Sequence, residues 1–481
     1  MNLVVSEITP LEAADTGLVG LTADRERLDR IHRYLKGDHD GPYMPRNASE
    51  EYKLLARRAV SNWLPLLVKT PAQALAIEGY RRAGQAGDPA ATSVEWEAWQ
   101  TNRMDGRQMA VHRAALAYGQ AFVTVLPDPA DPSRAIIRGV SPRLMYAAYE
   151  DPAADESPLW ALQLEDHPQE GEEQRAWLYD AEGVTELVIG GKNGPQATSF
   201  RAHNLGVCPV IRFAPDIDLE GVVTGVVEPM IPIQDRVNQT TFDLLVAQSF
   251  GSFKVRTISG MAPEFERDPE TGEIVYDPRT GKPRVVPIQA DASRFLVAPD
   301  PDTKFQQLDE TPLAGFLEAI EAAVRALAAV SQTPPHYLLG SLINLSAEAL
   351  AAAEAALTRA VDEYKHVFGE SWELVLRLCG RVAGVDEDDK AQVLWKDAES
   401  RSLSQTVDAL GKAVQMLNVP ARALWSRIPG ATATDVEQWA QMQQDDDPAL
   451  RLADSLTRAS APAPVPALPD GEEPADDAAA A

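Results

Sequence analysis

Residues 309–380 constrain the fold more than any other stretch, because a pair of prolines divides them into two helices of different character. A moderately amphipathic helix ends at Pro334 and Pro335, and an apolar loop that contains Gly340 follows. Proline cannot continue a helix, since it lacks the backbone N–H and its ring clashes with the preceding turn. A very long Ala-rich helix then begins near Ser346. This order favours helices that pack side by side against copies of the same chain and present a loop at one end.

The first of the two helices carries an apolar stripe. Thr311 is a good N-cap residue, and Pro312 fits the first helical position, where its missing N–H has no partner to lose. The stripe recurs at helical spacing and consists of Leu313, Phe316, Leu317, Ile320, Val324 and Leu327. Two interpretations stay open: the stripe packs against a neighbouring copy, or it packs inside its own domain.

The second helix is unusually long. We predict that it runs from a cap at Ser346 to about Leu378, which exceeds the usual length of a helix in a globular domain. Glycine weakens a helix interior, so Gly369 is the predicted position of a bend.

The chain is strongly acidic. Its 481 residues include 72 Asp and Glu against 44 Lys and Arg, which gives a net charge of −28. Proteins that grip nucleic acid usually present a basic surface, because neutralising phosphates supplies most of the affinity. Strong sequence-specific binding is therefore disfavoured, although an acidic surface could surround DNA without holding it. The alternative is that the charge serves solubility alone.

Cysteine usage and hydropathy predict a soluble intracellular protein. The only cysteines are Cys208 and Cys379, too few for a disulfide framework. The N-terminal stretch lacks the basic region and long apolar core of a signal peptide. No run approaches the roughly 18 uncharged apolar residues that a membrane span needs.

The N-terminal part is predicted to be α+β. Apolar residues at helical spacing predict helices over 21–36, 49–80 and 94–119. From Gln120 the pattern changes to six short β-rich runs separated by Pro, Gly and Asp turns. Helices followed by a largely antiparallel sheet make an α+β arrangement over 1–220.

A repeat marks the middle of the chain. After a predicted helix over 226–250 and a short strand at 254–260, an Asp-Pro-x-Thr-Gly sequence occurs at 268–272 and again at 277–281. Proline fixes φ and glycine accepts positive φ, so both copies are strong turn signals. Apolar residues at 274–276 predict a short strand between them, and hence a small β-meander.

The C-terminal part is predicted to hold short helices and a disordered end. Two or three short helices fit 400–444. Beyond Asp445 the chain is rich in Ala, Pro and acidic residues, with almost no aromatic content, which predicts disorder.

Little in the sequence predicts catalysis. Phosphate-binding, dinucleotide-binding, nucleophile-elbow, zinc-protease and Cys-x-x-Cys patterns are absent from it, so we predict no catalytic residue, cofactor or metal. His32, Asp38, His39 and Asp40 resemble a metal cluster, but a loop after a helix end is expected to be polar anyway. His112 is predicted to lie on the surface. A hydrolase with dispersed carboxylates is the enzyme alternative.

Several motifs occur in an order that resembles one known family. They are Arg-Tyr-Leu-Lys-Gly at 33–37, Ala-Tyr-Gly-Gln-Ala-Phe-Val at 117–123 with Val-Ser-Pro at 140–142, His-Asn-Leu-Gly-Val-Cys-Pro-Val at 203–210 and Pro-Ile-Gln-Asp-Arg-Val-Asn-Gln at 232–239. Together they resemble the portal proteins of tailed bacteriophages, in the branch typified by the portal of the Bacillus phage SPP1 and as found in actinobacterial phages. The likeness extends to about residue 440, and it departs at 225–228, where Gly-Val-Val-Glu replaces the Gly-x-Ser-Glu of many relatives.

The resemblance implies a ring of twelve copies, or thirteen when isolated, whose protomer has a wing, a stem, a clip and a crown. The implied parts are a wing (1–225), a first stem helix (226–252), a clip with the β-meander (253–310), a second stem helix (311–332), a tunnel-loop region (333–347), a long helix returning to the wing (348–399), crown helices (400–444) and a disordered acidic tail (445–481). On this map the apolar stripe packs stem helices of neighbouring copies together.

Two sets of contact residues follow from this map. The candidates for facing DNA in the tunnel loop are Leu342, Ile343 and Asn344, unless the two apolar ones are buried packing. The clip carries charges of both signs that suit a reversible polar contact with successive partners, although a solvated hairpin would look the same. These clip residues are Arg279, Lys282, Arg284, Glu270 and Glu273.

The implied function is a non-enzymatic conduit at one capsid vertex. Double-stranded DNA would pass through it during packaging and ejection, and an acidic lumen would repel the phosphates and reduce friction. The implied partners are the terminase large subunit, then the head-completion adaptor, and the major capsid and scaffolding proteins, with no membrane. The protein would reside in the virion, and in host cytoplasm during assembly. The alternative is another phage head–tail structural or adaptor protein, which would form no such ring.

Overall fold

The computed structural model describes residues 8–44, 46, 49–83, 93–166, 173–190, 194–251, 256–259, 265–284, 304–307, 312–340, 347–396, 403–428, 431 and 433–446. Its helices are α1 (Pro10–Lys36), α2 (Glu50–Arg58), α3 (Leu64–Gln73), α4 (Val94–Thr101), α5 (Met104–Tyr118), α6 (Ile231–Gly251), α7 (Ala314–Val330), α8 (Pro335–Leu339), α9 (Ala347–Val382), α10 (Leu403–Leu417) and α11 (Ala433–Asp446). Its strands are β1 (Ile77–Arg81), β2 (Ala121–Pro127), β3 (Ala135–Val140), β4 (Met145–Ala148), β5 (Trp160–Leu164), β6 (Gln174–Tyr179), β7 (Gly183–Ile189), β8 (Gln196–Ala202), β9 (Val210–Phe213), β10 (Arg256–Ser259), β11 (Lys304–Gln307) and β12 (Gln392–Trp395). The predicted α+β class is confirmed.

The strands form antiparallel sheets. A five-stranded sheet has the order β4-β5-β6-β7-β8, a three-stranded sheet has the order β3-β2-β9, and two pairs join β1 with β12 and β10 with β11. All six predicted β-rich runs contain strands, and β10 lies within the run predicted at 254–260. Strands β4 and β8 were not predicted; β8 lies at a sheet edge with all of its residues exposed, so it has no alternation of apolar and polar residues to reveal it.

Helix α1 is longer than the predicted 21–36. It begins with a capping box, in which the Thr9 hydroxyl accepts from the Glu12 N–H while the Glu12 carboxylate accepts from the Thr9 N–H. It ends at Gly37, whose φ of 85° only glycine adopts without strain. The N-terminal half of α1 covers the five-stranded sheet, where Ala14 and Leu21 meet Leu162 in a separate small core.

The single helix predicted over 49–80 is wrong. The chain forms α2, then α3 with a proline in its first turn, and then strand β1. Strand β1 exists because β12, more than three hundred residues later, supplies its hydrogen-bonding partner, with Tyr80 opposite Val393. A partner so distant leaves no local signal in the sequence.

The helix predicted over 94–119 is interrupted between α4 and α5. Arg103 at the break has a φ of 56°. The preceding Asn102 is buried, and its side chain bonds to strand β3, with Nδ2 donating to the Ala135 carbonyl (2.8 Å) and Oδ1 accepting from the Ile137 N–H (3.0 Å). These bonds give buried backbone groups at the start of β3 their hydrogen-bonding partners. They also fix Asn102, and with it the break between α4 and α5, to that strand.

The two helices predicted within 309–380 form, with altered ends. Helix α7 begins at Ala314 with Leu313 as its N-cap, so Pro312 precedes the helix, and Thr311 lies outside the described residues. Helix α9 continues past the predicted end at Leu378 to Val382. It also runs through Gly369 without interruption, so this glycine produces no break, and a Cβ there would make only an ordinary contact with Trp395 on β12, at 3.5 Å.

The C-terminal helices are as predicted over 400–444, with α10, a 3-10 helix at Ala421–Arg427 and α11. The predicted disordered tail lies outside the described residues beyond Asp446. No helix in the described part of the chain is both long enough and apolar enough to cross a membrane.

Helix α9 lies at the centre of the largest core. Its Phe368 and Trp372 are completely buried. The Trp372 ring contacts Phe213 of β9 and Trp99 of α4 at centroid distances of 4.6 and 4.9 Å. Aromatic pairs in such edge-on geometry add to the stabilisation from burial, so α9 is firmly fixed to the N-terminal α+β part.

Candidate functional site

The helix pair α6 and α7 leaves part of the predicted apolar stripe uncovered. Helix α7 packs along α6, and its C-terminal half enters the main core. The predicted stripe residues divide accordingly: Val324 and Leu327 are buried, Leu313, Phe316 and Ile320 are half-buried, and Leu317 is 57% exposed. Val330 at the end of α7 is also 57% exposed. A single copy of the chain therefore buries only one end of the stripe.

The short helix α8 ties the end of α7 to α9. Thr333, just before α8, is buried, and so is Leu338 within it. Gly340 then ends α8 with a φ of 66°. The Tyr337 hydroxyl donates to the Glu354 carboxylate on α9 (3.3 Å), and His336 Nε2 lies 3.8 Å from the same oxygen. These contacts fix the chain on both sides of 341–346.

The predicted DNA-facing residues lie between these two fixed ends. Leu342, Ile343 and Asn344 belong to 341–346, which is outside the described residues. What the structure gives is the position of the ends, Gly340 on α8 and the start of α9.

A polar cluster, of which Tyr34, His39, Gln234 and Asn238 are buried, joins the loop after α1 to the first turns of α6. We call it the junction and define it as Tyr34, His39, Ser61, Trp63, Gln234, Asp235 and Asn238. Gln234 is fully buried and donates from Nε2 to the Ser61 carbonyl oxygen (2.8 Å). Its Oε1 accepts from the Trp63 N–H (3.1 Å), and its Nε2 also donates to Asn238 Oδ1 (3.0 Å). Every polar atom of this side chain is thus paired, as burial requires.

His39 extends the junction towards α1. Its Nε2 donates to the Tyr34 carbonyl oxygen (3.0 Å), so its Nδ1 is the acceptor for Asn238 Nδ2 (2.8 Å). Both ring nitrogens of His39 therefore have hydrogen-bonding partners within the protein. Among the residues that the structure describes, no group of three His, Cys, Asp or Glu is placed to hold a metal.

Tyr34 and Asp235 close the junction. The Tyr34 hydroxyl donates to Asp235 Oδ1 (2.8 Å), and burial together with this bond raises the pKa of the phenol. The motifs at 33–37 and 232–239, two hundred residues apart in sequence, are therefore in direct contact. The sequence carried one signal that could have predicted this: amides recurring on the apolar face of a helix need buried partners.

Two glycines bring the motif at 117–123 close to the start of α6. A Cβ on Gly225 would lie 2.5 Å from the Gly119 nitrogen and 2.7 Å from the Ala117 carbonyl oxygen, closer than real side chains approach. Gly119 itself has a φ of 90° and ends α5. Val226, the residue after Gly225, donates from its N–H to the Leu116 carbonyl (2.7 Å). The backbone before α6 therefore passes directly over the end of α5.

His112 is not on the surface, contrary to the prediction. It is 0% exposed, stacks on Phe368 at 5.3 Å and accepts at Nε2 from the Trp372 indole N–H (2.8 Å). Burial lowers its pKa to about 3, and the Leu75 carbonyl opposes this in part. His112 is therefore a neutral core residue that positions α9. Its burial was not evident from the sequence, because it lies in an Ala-rich helix.

The predicted clip residues lie in a compact segment at 265–284, which we call the double-turn segment. The Asp-Pro turns at 268 and 277 form as predicted, but 274–276 pairs only through isolated bridges, Arg267 with Ile274 and Tyr276 with Pro283. Nine residues per repeat leave room for only one or two paired residues, and proline cannot donate to a ladder. The predicted contact residues Glu270, Glu273, Arg279, Lys282 and Arg284 are all exposed.

Comparison with known proteins identifies the class. Residues 19–449 match the family model described as phage portal protein, SPP1 Gp6-like. The chain therefore belongs to this family of phage portal proteins, and the predicted resemblance is confirmed. Among curated proteins it is similar to the portal protein of Mycobacterium phage D29, with 28% identity over 375 residues that cover 72% of this chain and 71% of that protein. It is similarly related to the portal protein of Mycobacterium phage L5, with 28% identity over 363 residues and the same two coverages.

Membership of this family settles the general function. A portal protein is a structural component of the virion that forms a homo-oligomeric ring in the capsid, and the phage genome is packaged through it. The match favours this function over that of another head–tail adaptor. The junction joins the N-terminal α+β part to helix α6 of the helix pair.

Proposed function

We propose that twelve copies form the ring, or thirteen when the protein is isolated, and that the parts follow the map inferred from the sequence. That map makes 1–225 the wing, 226–252 and 311–332 the stem, 253–310 the clip, 333–347 the tunnel loop, 348–399 the long helix returning to the wing, 400–444 the crown and 445–481 an acidic tail. The observation that carries the proposal is the half-covered stripe of α7. Leu317 and Val330 remain exposed on a helix whose Val324 and Leu327 are buried. A neighbouring copy of the stem would cover them.

The tunnel loop and the double-turn segment are the proposed working surfaces. Leu342, Ile343 and Asn344 would face DNA, which is supported by the anchored ends at Gly340 and the start of α9. The exposed charges of the double-turn segment would contact the terminase large subunit during packaging and the head-completion adaptor afterwards. The ring would also nucleate procapsid assembly with the major capsid and scaffolding proteins, in host cytoplasm, and it would itself carry out no enzymatic step.

The native mass of the purified chain tests the proposal. We expect a species of about 626 kDa, twelve times 52.2 kDa, or one subunit more, with a central hole in electron micrographs. A 52 kDa species in isolation, together with no ring in procapsids, would contradict it.

The stripe is tested with Leu317→Asp. Burying a leucine stabilises an interface by about 2 kcal/mol and an unpaired buried carboxylate destabilises it further. We therefore expect the concentration at which rings dissociate to rise at least tenfold, since tenfold corresponds to about 1.4 kcal/mol. Val19→Asp is the matched control, because Val19 is also an exposed apolar residue (71%) but lies on α1. Equal behaviour of the two variants would show that α7 is not an interface.

A further inference from the structure

The two turns of the double-turn segment have the same backbone structure. In each turn the Asp N–H donates to the carbonyl five residues later, of Glu273 or Lys282, at 2.9 Å. The Gly N–H donates back to the Asp carbonyl at 2.9 Å in both turns. The Asp side chain caps the turn by accepting from the N–H of Glu270 (2.8 Å) or Arg279 (2.9 Å). The two turns thus present the same positions to the outside.

The side chains at those equivalent positions have opposite charges. Glu270 in the first turn corresponds to Arg279 in the second, and Glu273 corresponds to Lys282. We call 268–273 the acidic turn and 277–282 the basic turn. All four side chains are exposed, and within the described part of the chain none of them forms an ion pair. The ion pair described in this segment joins Arg284 and Glu266 (3.6 Å), outside both turns.

A closed set of backbone hydrogen bonds holds the turns in place. The Glu266 N–H donates to the Arg284 carbonyl, the Arg284 N–H to the Val275 carbonyl and the Val275 N–H to the Glu266 carbonyl, each at 2.8 Å. These three residues are nine positions apart, one from each strand-like piece of the repeat. Because backbone atoms alone make this set, the side chains of Glu270, Glu273, Arg279 and Lys282 take no part in it and remain available for contacts.

We propose that the acidic turn of one copy binds the basic turn of the next copy around the ring. A second copy of this chain is the partner that the charges fit best, because it supplies both complements in equal number on the same framework. Contact between different patches of neighbouring copies is the head-to-tail arrangement that closes a ring, and complementary charge fixes the register of such contacts. This contact would take the four turn charges in place of the terminase and adaptor contacts proposed above, because a terminase or adaptor surface would have to supply an acidic and a basic complement separately. The inference rests on the proposed ring and names a contact within it.

Charge reversal tests the contact. One variant combines Glu270→Arg with Glu273→Lys, a second combines Arg279→Glu with Lys282→Glu, and a third carries all four changes. Each of the first two places like charges opposite each other, so we expect the concentration at which rings dissociate in low salt to rise at least fivefold. The third restores opposite charges with exchanged positions, and we expect it to return to within twofold of the natural chain.

Mixing gives a sharper result. The first two variants, one with two basic turns and one with two acidic turns, should assemble better together than either alone, with the copies alternating around the ring. Native mass spectrometry of a mixture with one variant isotopically labelled would show six of each in a twelve-copy ring, or seven of one and six of the other in a thirteen-copy ring.

The outcomes separate this contact from the ring itself. If both reversed variants form rings that dissociate at the same concentration as rings of the natural chain, the contact is overturned and the ring is not. Binding of purified terminase or adaptor to the same variants would then show whether the turns face such a partner. A four-fold variant that fails to recover would also overturn the contact. Failure of the natural chain to form rings would overturn both proposals.

Discussion

The junction and the double-turn segment are held together in opposite ways. In the junction, four side chains are buried, and they bond to one another and to the backbone, as Gln234 does with Ser61 and Trp63. In the double-turn segment, backbone atoms make the closing hydrogen bonds, and the charged side chains point into solvent. The junction therefore depends on the identity of its residues, whereas the double-turn segment depends on its turns and tolerates different charges.

This difference separates a positioning region from a contact region. A buried polar group without its partner is costly, so changes in the junction should destabilise the whole protomer. An exposed charge is already solvated, so changes in the double-turn segment should alter contacts with other molecules and leave the protomer stable.

The largest expected effect is at the crossing of two glycines. Gly225→Ala places a Cβ 2.5 Å from the Gly119 nitrogen, and backbone cannot move aside as a flexible side chain can. We expect a loss of stability on the order of 3 kcal/mol, measured by denaturant unfolding at fixed protein concentration. Gly106→Ala on α5 is the control, because nothing lies within 4 Å of its Cβ position; it should stabilise the helix by up to about 1 kcal/mol. Equal stability of the two variants would contradict the crossing.

A smaller loss is expected inside the junction. Gln234→Leu keeps the size of the side chain but leaves the Ser61 carbonyl and the Trp63 N–H without these partners. We expect a loss of about 2 to 4 kcal/mol, since each unsatisfied buried group costs about 1 to 3 kcal/mol, again from denaturant unfolding. Gln100→Leu, at an exposed position of α4, makes the same chemical change and should be close to neutral. A Gln234→Leu variant as stable as its control would show that the junction amides contribute nothing.

The smallest effect is expected in the double-turn segment. Gly281 has a φ of 65°, and nothing lies within 4 Å of its Cβ position. Gly281→Ala therefore costs only the local strain of a left-handed residue, about 1 to 2 kcal/mol. We expect backbone amides of 277–282 to exchange about tenfold faster in hydrogen–deuterium exchange, with an unchanged unfolding midpoint. A fall in the unfolding midpoint as large as that of Gly225→Ala would contradict the difference between the two regions.

Local patterns predicted much of the fold. Six strands and the helices α6, α7 and α9 have apolar spacing and turn residues that act within the segment itself, and the Asp-Pro turns form where their chemistry requires. Strand β1 was taken for the end of a helix, because its only hydrogen-bonding partner among the described strands is β12 at the other end of the chain. Pairing over that distance depends on the tertiary fold.

The site was predicted only where its chemistry is local. The double-turn charges could be named from the sequence, and their exposure is as expected for turns. The roles of His39 and His112 could not, because an isolated histidine does not show whether Asn238 or Trp372 will face it. The family was recognisable from the order of its motifs, and the structure gives a physical reason for part of that order, since three of the motifs meet around the N-terminus of α6.

Helix α9 also fixes the direction in which its loop end faces relative to its core end. Its 36 residues extend about 54 Å at 1.5 Å per residue. Glu354, which contacts α8, and Trp372, which lies in the core, are eighteen positions apart. Because each residue turns the helix by about 100°, eighteen residues make about five whole turns. The anchor of the loop and the anchor of the core therefore sit on one side of the rod. Adding a single residue between them would swing the loop end round by about 100°, so the length of this helix can change only by nearly whole turns without redirecting the loop.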